Sequence, residues 1–582
     1  MGHQVGVVGC GTMGSGIAEA CARAGQRVDV LVLDTDHAED GRARIANSLD
    51  RSIAAGRLSE PERDAALEAI GFTTDAGDLA ESGFVIEAVP EHLELKRAVF
   101  RDLGAACPNA ILATNTSSLP VIHLAAASDV PGRVVGLHFF NPAPAMELVE
   151  LAVTVATEPA VRDAAAEFAR SLGKTVVVCR DRAGFIANVL LFPYLNEAVR
   201  LLDTGAASRD DIDAAMRLGA GHPMGPLELV DLIGLDACVE VLGSLQRQFA
   251  EPRYAPVPAL RELVAAGFTG RKAGRGFYDH SEPGEDGASA EPVATEPAGP
   301  GGIGTLGVLG TGIVATGLAE AAATAGIDVA CWGRSEESCG RGTDALRRSM
   351  ERAVARGRMD PASRDAALAR VRFVLDLDDL AGSEFVVEAV AEDLVVKRDL
   401  FARLDGVVGA DAVLATATSS LPIIEIAAAT AQPERVLGFH VFNPVPAMRL
   451  VELVRTVTTS DRAASVAAAL ARRLGKVVVR CRDRAGFIVN RLLFPYLNDA
   501  ARMVEDGYAS VDDVDTVMRL GCRHPVGPLE LIDLVGLDVT VEILRSLQRE
   551  YLEPAYTPVP LLEQMVAAGF LGRKAGRGFR TR

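Results

Sequence analysis

The chain contains its own pattern twice. Residues 181–188, Asp-Arg-Ala-Gly-Phe-Ile-Ala-Asn, return at 483–490 as Asp-Arg-Ala-Gly-Phe-Ile-Val-Asn. His222-Pro-Met-Gly-Pro-Leu-Glu-Leu returns as His524-Pro-Val-Gly-Pro-Leu-Glu-Leu, and Gly270-Arg-Lys-Ala-Gly-Arg-Gly-Phe277 returns unchanged at 572–579. The offset is 301 residues early in the repeat and 302 later. Such a period is far too long for a solenoid, and 582 residues are too many for a single core. The chain is therefore expected to be a tandem copy of a unit that is itself two domains. Residues 281–303 join the copies. They are rich in Pro, Gly, Ala and Glu and lack apolar periodicity, so they read as a flexible linker. A random coil of that length spans ~25 Å, enough for the copies to lie side by side.

One stretch inside the repeat carries chemistry. His138 precedes Glu150 by twelve residues, and His440 precedes Glu452 by the same distance, while Glu147 between them has become Arg449. A histidine beside a carboxylate is a base with its orienting partner; a single copy could equally be a core histidine with a local hydrogen bond.

Composition narrows the setting. The formal net charge of −19 argues against nucleic acid as a partner, though a local basic patch could still hold an anionic substrate. The nine cysteines form no Cys-x-x-Cys pair, which argues against a disulfide framework or a zinc site and fits a reducing compartment. The first residues lack the basic region of a signal peptide, and no run approaches the ~18 apolar residues of a membrane span. A cytoplasmic location without membrane attachment is expected.

Val5-Gly-Val-Val8 reads as a buried strand and runs into Gly9-Cys-Gly11-Thr12-Met13-Gly14, then a helical pattern. Between strand and helix, such glycines allow a tight turn, a close approach of pyrophosphate, and helix–strand packing. A second strand, 28–33, ends at Asp34, twenty residues after Gly14. A carboxylate there would bind ribose hydroxyls and repel a 2′-phosphate, favouring NAD over NADP. Residues 38–70 read as a helical hairpin with Arg42, Arg44, Arg51 and Arg57, which is either a solvated face or a grip for a polyphosphate tail. Phe84–Val89 and Ile111–Thr114 read as strands ending near Glu91 and at Asn115-Thr-Ser117-Ser118, where an open α/β sheet binds its ligands; Ser118 also suits a helix N-cap. After Asp181 the alternation with strands stops, and 183–280 reads as helical.

These motifs together resemble the short-chain 3-hydroxyacyl-CoA dehydrogenases, including the 3-hydroxybutyryl-CoA dehydrogenases, over nearly the whole chain and in two copies. The residues that carry the resemblance are the glycine loop, Asn115-Thr-Ser-Ser118, His138-Phe-Phe-Asn-Pro142, Met146-Glu-Leu-Val-Glu150, Gly184-Phe-Ile-Ala-Asn188 and Pro223-Met-Gly-Pro-Leu227. The resemblance implies a Rossmann-type α/β domain at 1–182 and an all-α domain at 183–280, repeated at 304–484 and 485–582. It also implies reversible oxidation of an (S)-3-hydroxyacyl-CoA to the 3-oxoacyl-CoA with NAD, in fatty-acid metabolism such as β-oxidation. His138 would be the general base and Glu150 its orienter, while Ser117 and Asn188 would hold the substrate oxygen. Glu91, Lys96, Asn115 and Lys272 match the family's cofactor contacts. The hairpin arginines fall in its CoA region without a secure one-to-one match. The two helical domains are expected to pair within the chain as a pseudo-dimer, with further homo-oligomerisation left open.

The copies differ. Ser419, His440, Glu452 and Asn490 repeat the catalytic spacing in full, and Glu392, Lys397 and Lys574 repeat the cofactor positions. However, Gly310-Thr-Gly312-Ile-Val-Ala315 ends in alanine, Asp34 has become Ser335 after Arg334, and Asn115 has become Ala417. Losing the acid and gaining Arg and Ser suits NADP; weakened cofactor binding after duplication is the plainer reading. Two other functions stay open: a dehydrogenase of a non-CoA 3-hydroxy acid or sugar acid, and a catalytically degenerate second half with a structural or regulatory part.

Overall fold

The computed structural model describes residues 4–281 and 303–581, so the expected linker at 281–303 lies almost wholly outside the described residues. The first half opens with a sheet of eight strands: β1 (Gln4–Val8), β2 (Arg27–Leu31), β3 (Ile70–Thr73), β4 (Phe84–Glu87), β5 (Ile111–Thr114), β6 (Val134–Phe139), β7 (Leu148–Val153) and β8 (Thr175–Arg180). Their order is β3-β2-β1-β4-β5-β6-β7-β8. Helices cover both faces, which is why the central strands are continuous apolar runs such as Val-Gly-Val-Val and Phe-Val-Ile. The strand order reverses at β1, between β2 and β4, and this opens the crevice in which such sheets bind ligands. The stretch expected as a hairpin forms the helices Thr35–Ala54 and Glu60–Glu68, and its last residue, Ile70, already begins the edge strand β3. Neighbouring strands run parallel up to β6. There the chain turns back, and β6 and β7 pair antiparallel. Residues 305–482 repeat the same order in a second eight-stranded sheet.

After β8 the chain is helical: Ala187–Asp203, Arg209–Gly219, Pro226–Ile233, Leu235–Phe249 and Pro258–Ala265, with counterparts from Val489 to Ala567. Helix Ala187–Asp203 is buried almost all round, including Leu190, Leu191, Phe192, Tyr194 and Leu195. A helix apolar on every side needs covering on every side. Its own domain covers part, and helix Val489–Glu505 of the other half covers the rest. Each fully buried leucine there contributes about 1.5–3 kcal/mol.

Polar contacts complete this seam. Arg253 pairs with Asp499, and Arg491 pairs with Glu197 at 2.8 Å. The Tyr508 hydroxyl donates to the Arg180 carbonyl at 3.0 Å, and its ring stacks on the Arg182 guanidinium, which also covers Phe249. On the opposite side the Arg482 N–H donates to the Ala206 carbonyl.

At the centre, His222 and His524 stack with ring centroids 4.0 Å apart, each hydrogen-bonded to a tyrosine of its own half, Tyr194 or Tyr496, at 3.1 Å. Burial pushes His222 down to about 4. Burial, then the facing His222, pushes His524 well below the usual histidine range. The unfolded chain takes up these protons near pH 6.5 while the folded chain refuses them, so stability falls as pH drops from about 6.5 toward about 4. By pH 5 His222 alone is expected to lose on the order of 2 kcal/mol. In thermal denaturation at pH 7.5 and pH 5, the double variant His222→Gln/His524→Gln is expected to lose less stability than the wild type. An unchanged acid sensitivity would show that the stack is not its source.

Candidate active site

His138 lies on β6 and Glu150 on β7, directly opposite each other in the antiparallel register. Opposed residues have Cβ atoms about 4.5–5.5 Å apart, so the twelve-residue spacing is the length of one strand reversal. Glu150 Oε2 bonds His138 Nδ1 at 2.8 Å; in the second half, Glu452 and His440 do the same at 2.6 Å. The carboxylate has a second task. Its Oε1 accepts the backbone N–H groups of Ile186 and Ala187, both at 3.0 Å, at the start of helix Ala187–Asp203. Glu452 likewise accepts from Ile488 and Val489. A helix N-terminus favours a negative charge, so one fully buried carboxylate locks the imidazole and joins the sheet domain to the helical domain.

The turn that delivers those amides is strained. Gly184 and Phe185 both have positive φ, +77 and +47, as do Gly486 and Phe487. Left-handed backbone at a bulky residue costs about 1–3 kcal/mol. The conformation sets the Phe185 ring against His138 at 5.8 Å, while Phe140 covers it at 4.6 Å. The histidine is thereby walled in to 7% exposure, and among the described residues only its Nδ1 is hydrogen-bonded. The Asn188 side-chain amide donates to the Ser117 carbonyl at 2.9 Å, and Asn490 does so to Ser419 at 3.3 Å. The Ser117 hydroxyl has no bond among the described residues. The four residues of each expected catalytic set thus belong to one connected cluster.

Several expected cofactor contacts also build the frame of the site. Glu91 accepts from the Thr116 and Ser118 hydroxyls and from the Ser117 and Ser118 amides, so it shapes the turn that presents Ser117. Burial works to raise its carboxyl, but Lys96 and these hydrogen bonds outweigh burial and hold it below the usual range. Lys96 is buried; its ammonium donates to Glu87 at 2.7 Å and to the Val89 carbonyl, and lies 3.3 Å from Glu91. Lys397 and Glu392 repeat the arrangement on Glu388. The Asn115 side-chain carbonyl accepts the Phe139 N–H at 2.9 Å, tying the turn to β6 beside His138. Ala417 has no group to do this. Lys272 bonds Asp236 at 2.6 Å, and Lys574 bonds Asp538 at the same distance.

Sequence reading missed three acids. Glu87 ends an apolar strand and anchors Lys96; a charge at the end of such a run was the available signal. Asp181 caps helix Val121–Ala127 through the Val121 and Ile122 amides. Asp213 caps helix Pro226–Ile233 through the Leu227 and Glu228 amides, and a Cβ on Gly225 would lie 2.2 Å from it.

The glycine loop fits a dinucleotide. Gly9 has φ +96, and a Cβ on Gly14 would lie 2.0 Å from the Gly9 carbonyl oxygen. Gly11 meets nothing within 4 Å, and helix Thr12–Arg23 starts with no side-chain cap, so its amides are left for a phosphate. Asp34 is exposed at the end of β2. Its Oδ1 accepts the His37 amide and bonds the His37 ring, and these contacts, the amide first, hold its carboxyl below the usual range. In the second half Ala315 replaces Gly14, and the turn opens to φ +118 at Gly310. Gly312 is again unobstructed, and exposed Ser335 caps its helix. Of the hairpin arginines, Arg57 stands apart from Arg42 and Arg44. Arg44 bonds the Cys10 carbonyl in the glycine loop, Arg42 covers Phe72, and Arg57 lines a groove with Arg23 and Arg27 at the opposite end of the strands.

A sheet with this loop at its reversal point and a histidine–carboxylate pair at its hinge defines a class of nucleotide-dependent oxidoreductase. The sequence matches the family described as "3-hydroxyacyl-CoA dehydrogenase, NAD binding domain" at residues 4–182 and 305–484. It matches "3-hydroxyacyl-CoA dehydrogenase, C-terminal domain" at 184–280 and 486–582. The chain belongs to the 3-hydroxyacyl-CoA dehydrogenase family, and it is an oxidoreductase. Its first relatives include the 3-hydroxybutyryl-CoA dehydrogenase of Mycobacterium tuberculosis, 51% identical over 281 residues, which is 48% of this chain and 98% of that one. The 3-hydroxyadipyl-CoA dehydrogenase of Escherichia coli is 31% identical over 572 residues, 97% of both chains. Among solved structures, a 3-hydroxybutyryl-CoA dehydrogenase from Escherichia coli K12 matches with a TM-score of 0.69 and 30% identity, over 98% of this chain and all of that one. Among the described residues no helix is long and apolar enough to cross a membrane.

Proposed function

We propose that the chain is an NAD-dependent dehydrogenase of short-chain (S)-3-hydroxyacyl-CoA, working reversibly through His138 and Glu150. The observation that carries the reading is the His138–Glu150 pair, opposed in register and tied to the hinge amides. The loop Gly9–Gly14 and Asp34 would hold NAD, which would supply the hydride acceptor. The substrate hydroxyl gives its proton to His138 Nε2 as the hydride leaves carbon, and Glu150 stabilises the imidazolium through Nδ1. In reduction the same proton returns to the developing alkoxide, with the Ser117 hydroxyl and the Asn188 amide available as donors. The names of the M. tuberculosis and E. coli relatives support a 3-hydroxyacyl-CoA substrate. The test is NADH consumption by the full chain with acetoacetyl-CoA beside free acetoacetate. Equal turnover of both would point to a non-CoA 3-hydroxy acid instead.

For the second half, the complete set of Ser419, His440, Glu452 and Asn490 supports a working site, and Arg334 with Ser335 supports tolerance of a 2′-phosphate. A full chain carrying Gly11→Asp, which fills the first loop, is expected to bind NADP⁺ at least as well as NAD⁺, read by tryptophan or NADPH fluorescence titration. Clearly tighter NAD⁺ binding would remove the NADP reading.

A further inference from the structure

Each sheet is roofed near its His–Glu pair by a helix from the other half. Helix Val511–Gly521 packs on β7 and β8, and helix Arg209–Gly219 packs on the matching strands Leu450–Arg455 and Val477–Arg482. Both helices end in a glycine at the point of closest approach. A Cβ on Gly521 would lie 2.9 Å from the Phe140 ring and 3.0 Å from Leu148. Phe140 is the ring that covers His138. A Cβ on Gly219 would lie 2.8 Å from both Leu450 and Val489, and the Val489 N–H is one of the two that hold Glu452. Neither glycine has left-handed backbone, so space alone calls for glycine there. The residue after Gly521 is also close to the pair: burial first, then the Glu150 charge, raises the Cys522 thiol to about 12.

We propose that each half supplies the positioning residue for the other half's His–Glu pair. Gly521 sets His138 through Phe140, and Gly219 sets Glu452 through Val489. The inference rests on reading these pairs as the acid–base groups. A close-packed interior transmits a displacement of a few tenths of an ångström rather than absorbing it, and small misplacements of a catalytic group are costly in rate, up to about 100-fold.

The test uses the full chain carrying His440→Ala, so that only the first site turns over. Gly521→Val is expected to lower kcat about tenfold or more and to move the acid limb of the kcat–pH profile, with KM for NAD within about twofold. Gly521→Ala, which adds the Cβ alone, gives a smaller change in the same direction and decides the matter if the valine variant fails to fold. Arg253→Met breaks a cross-half ion pair that touches neither His–Glu pair; it is expected to lower thermal stability while leaving kcat and its pH profile in place. Equal kinetic effects of Gly521→Val and Arg253→Met, or none from Gly521→Val, overturn the proposal. His138→Ala in the same background reads the acid–base assignment separately: if it stays active, that assignment fails, whereas a dead His138→Ala with a silent Gly521→Val removes only the coupling. Should His440→Ala itself silence the chain, the mirror set applies, with His138→Ala as background and Gly219→Val as the variant expected to slow turnover.

Discussion

Replacing His138 with Asn in a chain that already carries His440→Ala is expected to lower kcat with acetoacetyl-CoA by about 10²–10⁴-fold. KM for NADH should change little, because β4 and β5 lie between the histidine's strand and the strand that leads into the glycine loop. The size follows from the task. The proton must move as the hydride does, and among the described residues His138 is the cluster's one imidazole, with Nε2 left over once Nδ1 bonds Glu150. Asparagine can keep a hydrogen bond to Glu150, so the fold is retained and the loss reads proton transfer. The measurement is steady-state NADH consumption with each single His variant and with the double. If His138→Asn alone keeps nearly full activity, the first half is not the main catalyst; if the double variant also keeps it, neither histidine is the acid–base group.

Glu150→Gln is expected to be almost as severe, for a different reason. The carboxylate serves one imidazole and two helix amides at once. Glutamine can satisfy the amides with its carbonyl, but its NH₂ then faces Nδ1. The ring must flip tautomer, and Nε2 becomes a donor where a base is required. A wrong tautomer of this kind lowered kcat by about 10⁴ in the serine protease triad, so a loss of about 10²–10⁴-fold is expected at the first site. Weaker attraction between the helix N-terminus and a neutral side chain should also lower stability by about 1–2 kcal/mol. Kinetics and thermal denaturation on the same preparation separate the two effects. A Glu150→Gln enzyme within a few-fold of wild-type kcat would mean that Glu150 is a structural cap only.

The parts of this architecture visible in sequence are those with short-range demands. A strand, a glycine turn and a helix start occupy consecutive residues around Gly9, and each step has its own residue requirement. The position of Asp34 follows from one strand length. The duplication was legible from long motifs that return at one offset, and it singled out the His–Glu pair, whose spacing survives beside a drifting neighbour. What could not be read depends on register and on packing between distant segments. Nothing in the spacing of His138 and Glu150 says that they face each other across an antiparallel pair. Glu91 and Lys96 match ligand contacts in one dimension; the bond of Glu91 to the Ser117 amide appears only once the turns after β4 and β5 lie side by side, and that of Lys96 to Glu87 only once the helix after β4 folds back on it. The edge strand Ile70–Thr73 is not legible in sequence, where the helical pattern runs to Ile70, because four residues carry too little periodicity to stand out. Arg57 shares a charge with Arg42 and Arg44 but not a direction, which only the helix geometry reveals.

The seam between the halves has a consequence for how such a chain can change. In a symmetric dimer of identical subunits every contact occurs twice, and a substitution must suit both sides of its own mirror. Here Arg253 finds Asp499, yet the position matching Arg253 is Ala555. Arg491 finds Glu197, yet its match is Val189. Tyr508 reaches across to Arg180 where its counterpart is Ala206. Joining the halves in one chain also keeps each at an effective concentration of order millimolar beside the other. The tether removes dilution as a threat to the seam and removes self-complementarity as a rule for its composition. One substitution now alters one face only, so each site can drift in cofactor or substrate while the other continues to work.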